Sequence, residues 1–295
     1  MVILRRFFID RLPATLQSTV LLDGRQHSHL KKSLRMRVGN KIELFDGSGI
    51  SAIAEIVEIG REQTIVTVES IGTSSSSTAT DGNDAHIEDF GHLPRLDIAT
   101  SLPKAARGDW MVEKLTEIGV RSLYLLETEY SRSSKASVPS ENKMDRYQRI
   151  IIEAAKQAKV NRMMSIYPTE PFNSFVNNKI VNGHQWSHVI VGHPGGQPLP
   201  QLFESIKNQH QQRMSSISKT SPTQQRTQLQ PPSLLLMIGP EGGFTNNEIA
   251  KLSPLANVYP TNFGNTIMRM ETVSIVASGV FNQFYSYLFP PPPPS

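Results

Sequence analysis

Hydrophobic positions change their spacing once along this chain, and the change divides it. Over residues 1–72 they fall in short runs rich in β-branched side chains, at 2–9, 41–45, 50–59 and 64–71, separated by turn signals such as Asp46-Gly47-Ser48-Gly49 and Gly60. This predicts a small β-rich domain, with one helix over residues 27–36 that ends near Gly39. From Leu93 onward, strand-like and helix-like spacings alternate. Residues 96–100, 120–126 and 234–238 read as strands, and another strand begins at 189–191. Between them, Asp109 is placed to cap a helix with Trp110, Leu115 and Ile118 inward and Gly119 at its end. Residues 143–159 predict a second helix with Ile150, Ile151, Ala154, Ala155 and Ala158 inward, and residues 271–288 a third. Alternation of this kind predicts an α/β domain.

Three stretches have almost nothing to bury. Residues 73–92, opening on a Ser/Thr run, predict a flexible linker, and the Gln/Ser/Thr-rich residues 207–232 predict a disordered insertion within a domain spanning 93–289. Pro290 to Pro294 cannot continue a helix and predict a polyproline tail over residues 290–295.

Composition narrows the chemistry. At 295 residues with 38% hydrophobic content, the chain is long enough for two cores, and the absence of cysteine excludes disulfides, thiolate catalysis and zinc–thiolate sites. No Asp-rich loop occurs, and no metal is expected. No apolar run approaches the roughly 18 residues of a membrane span, and the first ten residues are not built as a secretory signal. The expected compartment is the cytoplasm or an organelle. The net charge of +4 is uneven: residues 1–41 carry nine Lys or Arg against two acids, which leaves a balance of −3 for the rest. A cationic N-terminal part fits a polyanionic partner, because Lys and Arg release counterions from phosphates.

Two loops hold the candidate chemistry. The apolar run 234–238 breaks into Gly239-Pro240-Glu241-Gly242-Gly243-Phe244-Thr245, with Glu248 three residues beyond Thr245 as a capping-box partner. Neither a P-loop nor a dinucleotide fingerprint fits, since the lysine and the Gly-x-Gly-x-x-Gly spacing are both missing. A helix-capping turn accounts for part of this pattern, and a ligand loop at a strand end accounts for all three glycines. About twenty residues later, Phe263-Gly264-Asn265-Thr266 runs into Ile267-Met268-Arg269-Met270-Glu271-Thr272. Glu271 suits the first turn of a helix through the helix dipole, whereas Arg269 lies on the wrong side of that dipole and calls for another purpose.

Together these two segments resemble the C-terminal motifs of the ribosomal small-subunit RNA uridine-N3 methyltransferases, members of the SPOUT superfamily of trefoil-knotted enzymes. The similarity continues upstream through Leu34-Arg35-Met36-Arg37-Val38-Gly39, Phe45-Asp46-Gly47, Lys114 with Glu117-Ile118-Gly119-Val120, Ser131-Arg132-Ser133, and Glu153-Ala154-Ala155-Lys156-Gln157 to Asn161-Arg162. It implies a PUA-like RNA-binding barrel, a knotted α/β methyltransferase domain, a homodimer, and S-adenosylmethionine as methyl donor. The cofactor would be held by Ile238, Gly239, Pro240, Glu241, Gly242, Gly243, Phe263, Gly264, Ile267, Met268 and Thr272. Arg269 is then the candidate for steadying charge on the uracil oxygens, and Glu271 either accepts the N3 proton or holds Arg269.

Lys31, Lys32, Arg35, Arg37, Arg132 and Arg162 are the candidate contacts to small-subunit ribosomal RNA, each equally readable alone as a solvated surface charge. The chain departs from the family pattern in carrying Phe263 for a leucine, Thr266 for an arginine, Met268 for a leucine and Val273 for an alanine. Thr266 matters most, because a hydroxyl does not replace a guanidinium's five donors and fixed charge. It keeps two rivals open: a non-catalytic ribosome-assembly protein of the same fold, and a SPOUT enzyme acting on another RNA.

Overall fold

A computed structural model describes residues 4–72, 95–103, 106–131, 138–217 and 233–288. The chain divides into two compact units, residues 1–89 with 152–163, and residues 90–151 with 164–295. The linker expected over 73–92, the 218–232 part of the expected insertion, and the tail 290–295 lie outside the described residues.

In the first unit, five strands form a sheet in the order β1-β3-β4-β5-β2, from β1 (Arg5–Phe8), β2 (Thr19–Leu22), β3 (Lys41–Phe45), β4 (Ser51–Ile59) and β5 (Thr64–Gly72). β1 pairs with β3 in parallel, and the other pairs are antiparallel. Alternation sets which face is buried: Ala52, Ala54 and Ile56 of β4 and Val66 and Val68 of β5 point into a core with Phe7, Leu30, Ile42 and Leu44. Helix α1 (Gly24–Ser28) runs on into a π-helical turn, His29–Ser33, and the chain then turns through Gly39.

Residues 152–163 join this unit through specific contacts. Arg6 is buried, pairs with Glu43 at 3.1 Å, donates to the Ala155 carbonyl at 3.0 Å and to the Asn161 side chain, and lies over the Phe45 ring. Burial pushes its guanidinium below the usual value, against the pull of Glu43. The Asp46-Gly47-Ser48-Gly49 turn bonds the same segment, with Met163 N–H donating to Gly47 O and Gly49 N–H to Asn161 O, each at 3.1 Å.

The second unit is built on an all-parallel sheet in the order β11-β9-β10-β6-β7-β8. Its strands are β6 (Leu96–Thr100), β7 (Ser122–Glu127), β8 (Ser165–Pro171), β9 (His188–Pro198), β10 (Leu234–Ile238) and β11 (Val258–Asn262). Every residue of β6 and β10 is buried, as a parallel sheet covered on both faces requires. The helices are α2 (Ala106–Ile118), α3 (Glu141–Ala158), α4 (Phe172–Phe175), α5 (Leu199–Ile217), α6 (Asn246–Leu252) and α7 (Met270–Leu288), with α2 packed along α7. A π-helical turn, Val176–Val181, follows α4. Among the described residues, no helix is long and apolar enough to cross a membrane.

Two expectations need correcting. Helix α2 already includes Ala106, so Asp109 sits inside the first turn and is not the cap. Its inward side chains are Met111, Val112 and Leu115, while Trp110 is exposed, because the buried stripe follows the close approach of Gly108 to Tyr147. Helix α5 continues to Ile217, so residues 207–217 are helical although they have few apolar side chains. Leu202 and Ile206 anchor that helix in the core, and Gln209 extends the anchoring through its amide, which meets His188 Nε2 at 3.2 Å and donates to the Tyr259 hydroxyl at 3.4 Å.

Candidate active site

The first loop leaves the sheet where β10 ends between β6 and β9. Gly239 and Pro240 are buried, and the Gly243 N–H donates to Pro240 O at 2.8 Å to close a turn in which Gly243 takes φ +74°. Gly239 serves a different need: a Cβ there would lie 2.6 Å from the Gly243 carbonyl carbon and 2.8 Å from Phe244 N. Thr245 then caps α6 in a full capping box, its hydroxyl accepting from Glu248 N–H at 3.2 Å and its own N–H donating to Glu248 Oε2 at 2.9 Å.

Glu248 is only 6% exposed, and its second oxygen has work outside the helix. Oε1 accepts the N–H of Glu129 at 3.0 Å, which ties the turn after β7 to the glycine loop. That turn is closed by Ser131 N–H donating to Thr128 O at 3.1 Å and Thr128 N–H to Ser131 Oγ at 2.8 Å. Its exposed Tyr130 lies against Gly242, where a Cβ would come 3.0 Å from the ring.

The second loop follows β11. Gly264 adopts φ +127° and donates to Asn262 Oδ1 at 3.0 Å, while Asn262 Nδ2 reaches Pro194 O on β9 at 3.1 Å. Gly192 of β9 brings the two loops together: a Cβ there would lie 2.9 Å from Ile238 Cδ1 and 3.5 Å from the Phe263 ring. Met268 and Thr272 are half-buried, and Thr266 and Arg269 are exposed. Ile267 is 99% exposed, and Arg269 makes no ion pair among the described residues.

Glu271, in the first turn of α7, is 3% exposed. Its partner is Arg107 of α2, whose Nη1 lies 3.2 Å from Glu271 Oε1 while Nη2 lies 3.6 Å from Glu241 Oε1. Of the two roles open to Glu271, accepting a proton or holding Arg269, the second is not seen: its ion pair is with neither Arg269 nor another loop residue but with Arg107. Sequence reading passes over Arg107, since it stands 164 residues from Glu271 and nothing in a linear pattern joins them. Gly192 is missed for the same reason.

Glu271 Oε2, Thr100 Oγ1 and Thr128 Oγ1 belong to the buried polar atoms that have no hydrogen-bond partner among the described residues. Thr100 ends β6 beside Ile238, and Thr128 directly follows β7. Buried polar atoms are normally satisfied, and ligands of open parallel sheets sit at the carboxyl ends of the strands. The orphaned oxygens and the exposed glycine backbone thus fit a polar ligand that brings its own donors.

The basic candidates of the first unit, Lys31, Lys32, Arg35 and Arg37, are all exposed, and Lys31 Nζ donates to Gly60 O at 2.7 Å. Arg162 is exposed as well, with its guanidinium across Gly49, where a Cβ would lie 2.8 Å from Nη2. Arg132 lies outside the described residues.

Residues 92–282 match a family model described as an RNA methyltransferase domain, and residues 22–69 one described as an RNA methyltransferase PUA domain. The ribosomal RNA small subunit methyltransferase E of Synechocystis sp. is 25% identical over 268 residues, covering 90% of this chain and 74% of that protein. The protein of the same name from Bacillus subtilis is 22% identical, with 93% and 94% covered. Among solved structures, the chain is similar to a ribosomal RNA small subunit methyltransferase E from Neisseria gonorrhoeae bound to S-adenosyl methionine, with a TM-score of 0.68, 18% identity, and 96% and 98% of the two chains covered. A methyltransferase from Legionella pneumophila, in complex with the same cofactor, gives a TM-score of 0.67 at 22% identity, with 96% and 98% covered. These likenesses show the fold, an α/β methyltransferase unit behind a small PUA-like one.

Proposed function

Because this chain belongs to the RNA methyltransferase family that carries a PUA domain, we propose that it methylates N3 of a uridine in small-subunit ribosomal RNA, with S-adenosylmethionine as donor. The observation that carries this reading is the joining of both motif loops at one strand end, with Glu271 Oε2 buried and unpartnered beside them. The names of the relatives support the RNA class, and the resemblance of both loops supports the uridine.

The cofactor, when bound, supplies an electrophilic methyl group on a positively charged sulfur. In this reading residues 238–243, with Phe263, Gly264, Ile267, Met268 and Thr272, hold it largely by backbone groups, which is why glycine recurs at close approaches. Forming a bond at N3 requires loss of the imide proton, and Glu271 Oε2 is an acceptor with no partner among the described residues. Arg269 makes no ion pair among the described residues, and in this reading its charge serves the uracil oxygens as negative charge builds there. The target base must first leave its stack, and the exposed cations of the first unit provide sequence-independent grip on the phosphates.

A homodimer belongs to the same reading. What supports it is an exposed apolar stripe on α7, Val276, Val280 and Tyr287, which fall within about 40° around a helix. The trefoil knot is likewise part of the proposal, supported by the return of β10 to the middle of the sheet between β6 and β9.

The test is methyl transfer to small subunits by the wild type and by Arg269→Ala, with cofactor binding followed by calorimetry. The variant is expected to bind the cofactor normally and to lose about a hundredfold in kcat. Full activity of the variant would remove Arg269 from the site, and absence of cofactor binding by the wild type would favour the assembly-protein reading.

A further inference from the structure

Both loops of the site present an acidic side chain to a single cation. Glu241 comes from the first loop and Glu271 from the second, and Arg107 of α2 reaches both, at 3.6 and 3.2 Å. Resting on the methyltransferase reading, we propose that Arg107 is the positioning residue of the site: it ties the two loops together and determines which oxygen of Glu271 stays available.

Charge alone makes the tie necessary. Without Arg107, two carboxylates would face one another across the site, one of them buried with no counter-charge, and like charges at short range push the loops apart. Geometry makes it specific. A guanidinium is a planar fork that addresses two acceptors at once, whereas an ammonium is a point charge that settles on one. Arg107 engages Oε1 of Glu271, and Oε2 is the oxygen left without a partner among the described residues.

Arg107 also stands where it can act through rigid elements. Gly108 beside it is packed against Tyr147 of α3, closely enough that a Cβ would lie 2.7 Å from the Tyr147 hydroxyl, and α2 lies along α7, which carries Glu271. The Arg107 side chain is 38% exposed, so it is not sealed away from solvent.

The experiment compares wild type, Arg107→Ala, Arg107→Lys, Glu271→Gln and the double variant Arg107→Ala/Glu271→Gln. S-adenosylmethionine binding is read by calorimetry, kcat and KM by methyl transfer to small subunits, and folding by thermal melting. Arg146→Ala is the control, since it removes the ion pair of Arg146 of α3 with Asp109 of α2 and leaves Glu241 and Glu271 with their partner. Arg107→Ala is expected to raise the cofactor Kd about tenfold and to lower kcat as well. Arg107→Lys should recover kcat to within about threefold, by pairing with Glu271, while Kd stays raised because the fork is gone. In the double variant the losses should fall well short of multiplying, because Glu271→Gln removes the charge that Arg107→Ala leaves unpaired.

Independent, multiplying effects would overturn the inference. So would a folded Arg107→Ala with wild-type Kd and kcat or, should the alanine variant not fold, an Arg107→Lys unchanged in both. If the wild type itself neither binds S-adenosylmethionine nor transfers methyl groups, the underlying functional reading fails instead.

Discussion

At the scale of single residues, the glycines of the site do different jobs, and substitution separates them. Gly239 is a packing glycine, and an added Cβ would meet backbone, which moves only with the whole turn. Gly239→Ala is therefore expected to cost about 1–3 kcal/mol and to weaken cofactor binding at least about tenfold. Gly243 has open space but φ +74°, so Gly243→Ala should cost only about 1 kcal/mol, with a smaller loss of affinity. Thermal melting and calorimetry check both, and equal effects would contradict the distinction. The sequence marked both positions as glycine without telling them apart, because a strained φ and a close approach select the same residue. Likewise it placed Glu271 at a helix start but could not name Arg107 as its partner, since Arg107 is near only after α2 and α7 pack.

At the scale of elements, Glu248 shows how a local motif acquires a distant role. The capping box was legible from Thr245 and Glu248 alone, three residues apart, but its tie to Glu129 crosses 119 residues. Glu248→Gln keeps one acceptor and turns the other into a donor that faces an N–H. It should destabilise the protein by about 1–2 kcal/mol and speed amide hydrogen exchange at Glu129. Unchanged exchange there would show that the carboxylate does not hold the turn. The strands that sequence reading missed share a place in the fold. β2, β8 and β11 are all edge strands, and β8 and β11 are poor in apolar positions; β11 even contains Pro260, which an edge tolerates. Central strands such as β10 announce themselves because both of their faces must be apolar.

At the scale of the whole molecule, charge asymmetry is a property that no single contact reveals. If the exposed Arg35 and Arg37 of the first unit grip phosphates, Arg35→Glu with Arg37→Glu should weaken binding to small-subunit RNA. The slope of log K against log salt should also flatten by roughly 2. An unchanged slope would show that this patch does not meet the RNA. That the N-terminal part is cationic, that an α/β unit follows it, and that two glycine-bearing loops near the C-terminus form the candidate site were all determined by the sequence, since each depends on residues close together along the chain. Tertiary structure alone decided that residues 152–163 pack with the first unit through Arg6. It alone decided that Gly192 sets the spacing of the two loops and that Arg107 answers both Glu241 and Glu271. These are contacts across 46 to 164 residues, and the short periods of hydrophobic pattern carry no record of which distant side chain fills the space that folding leaves.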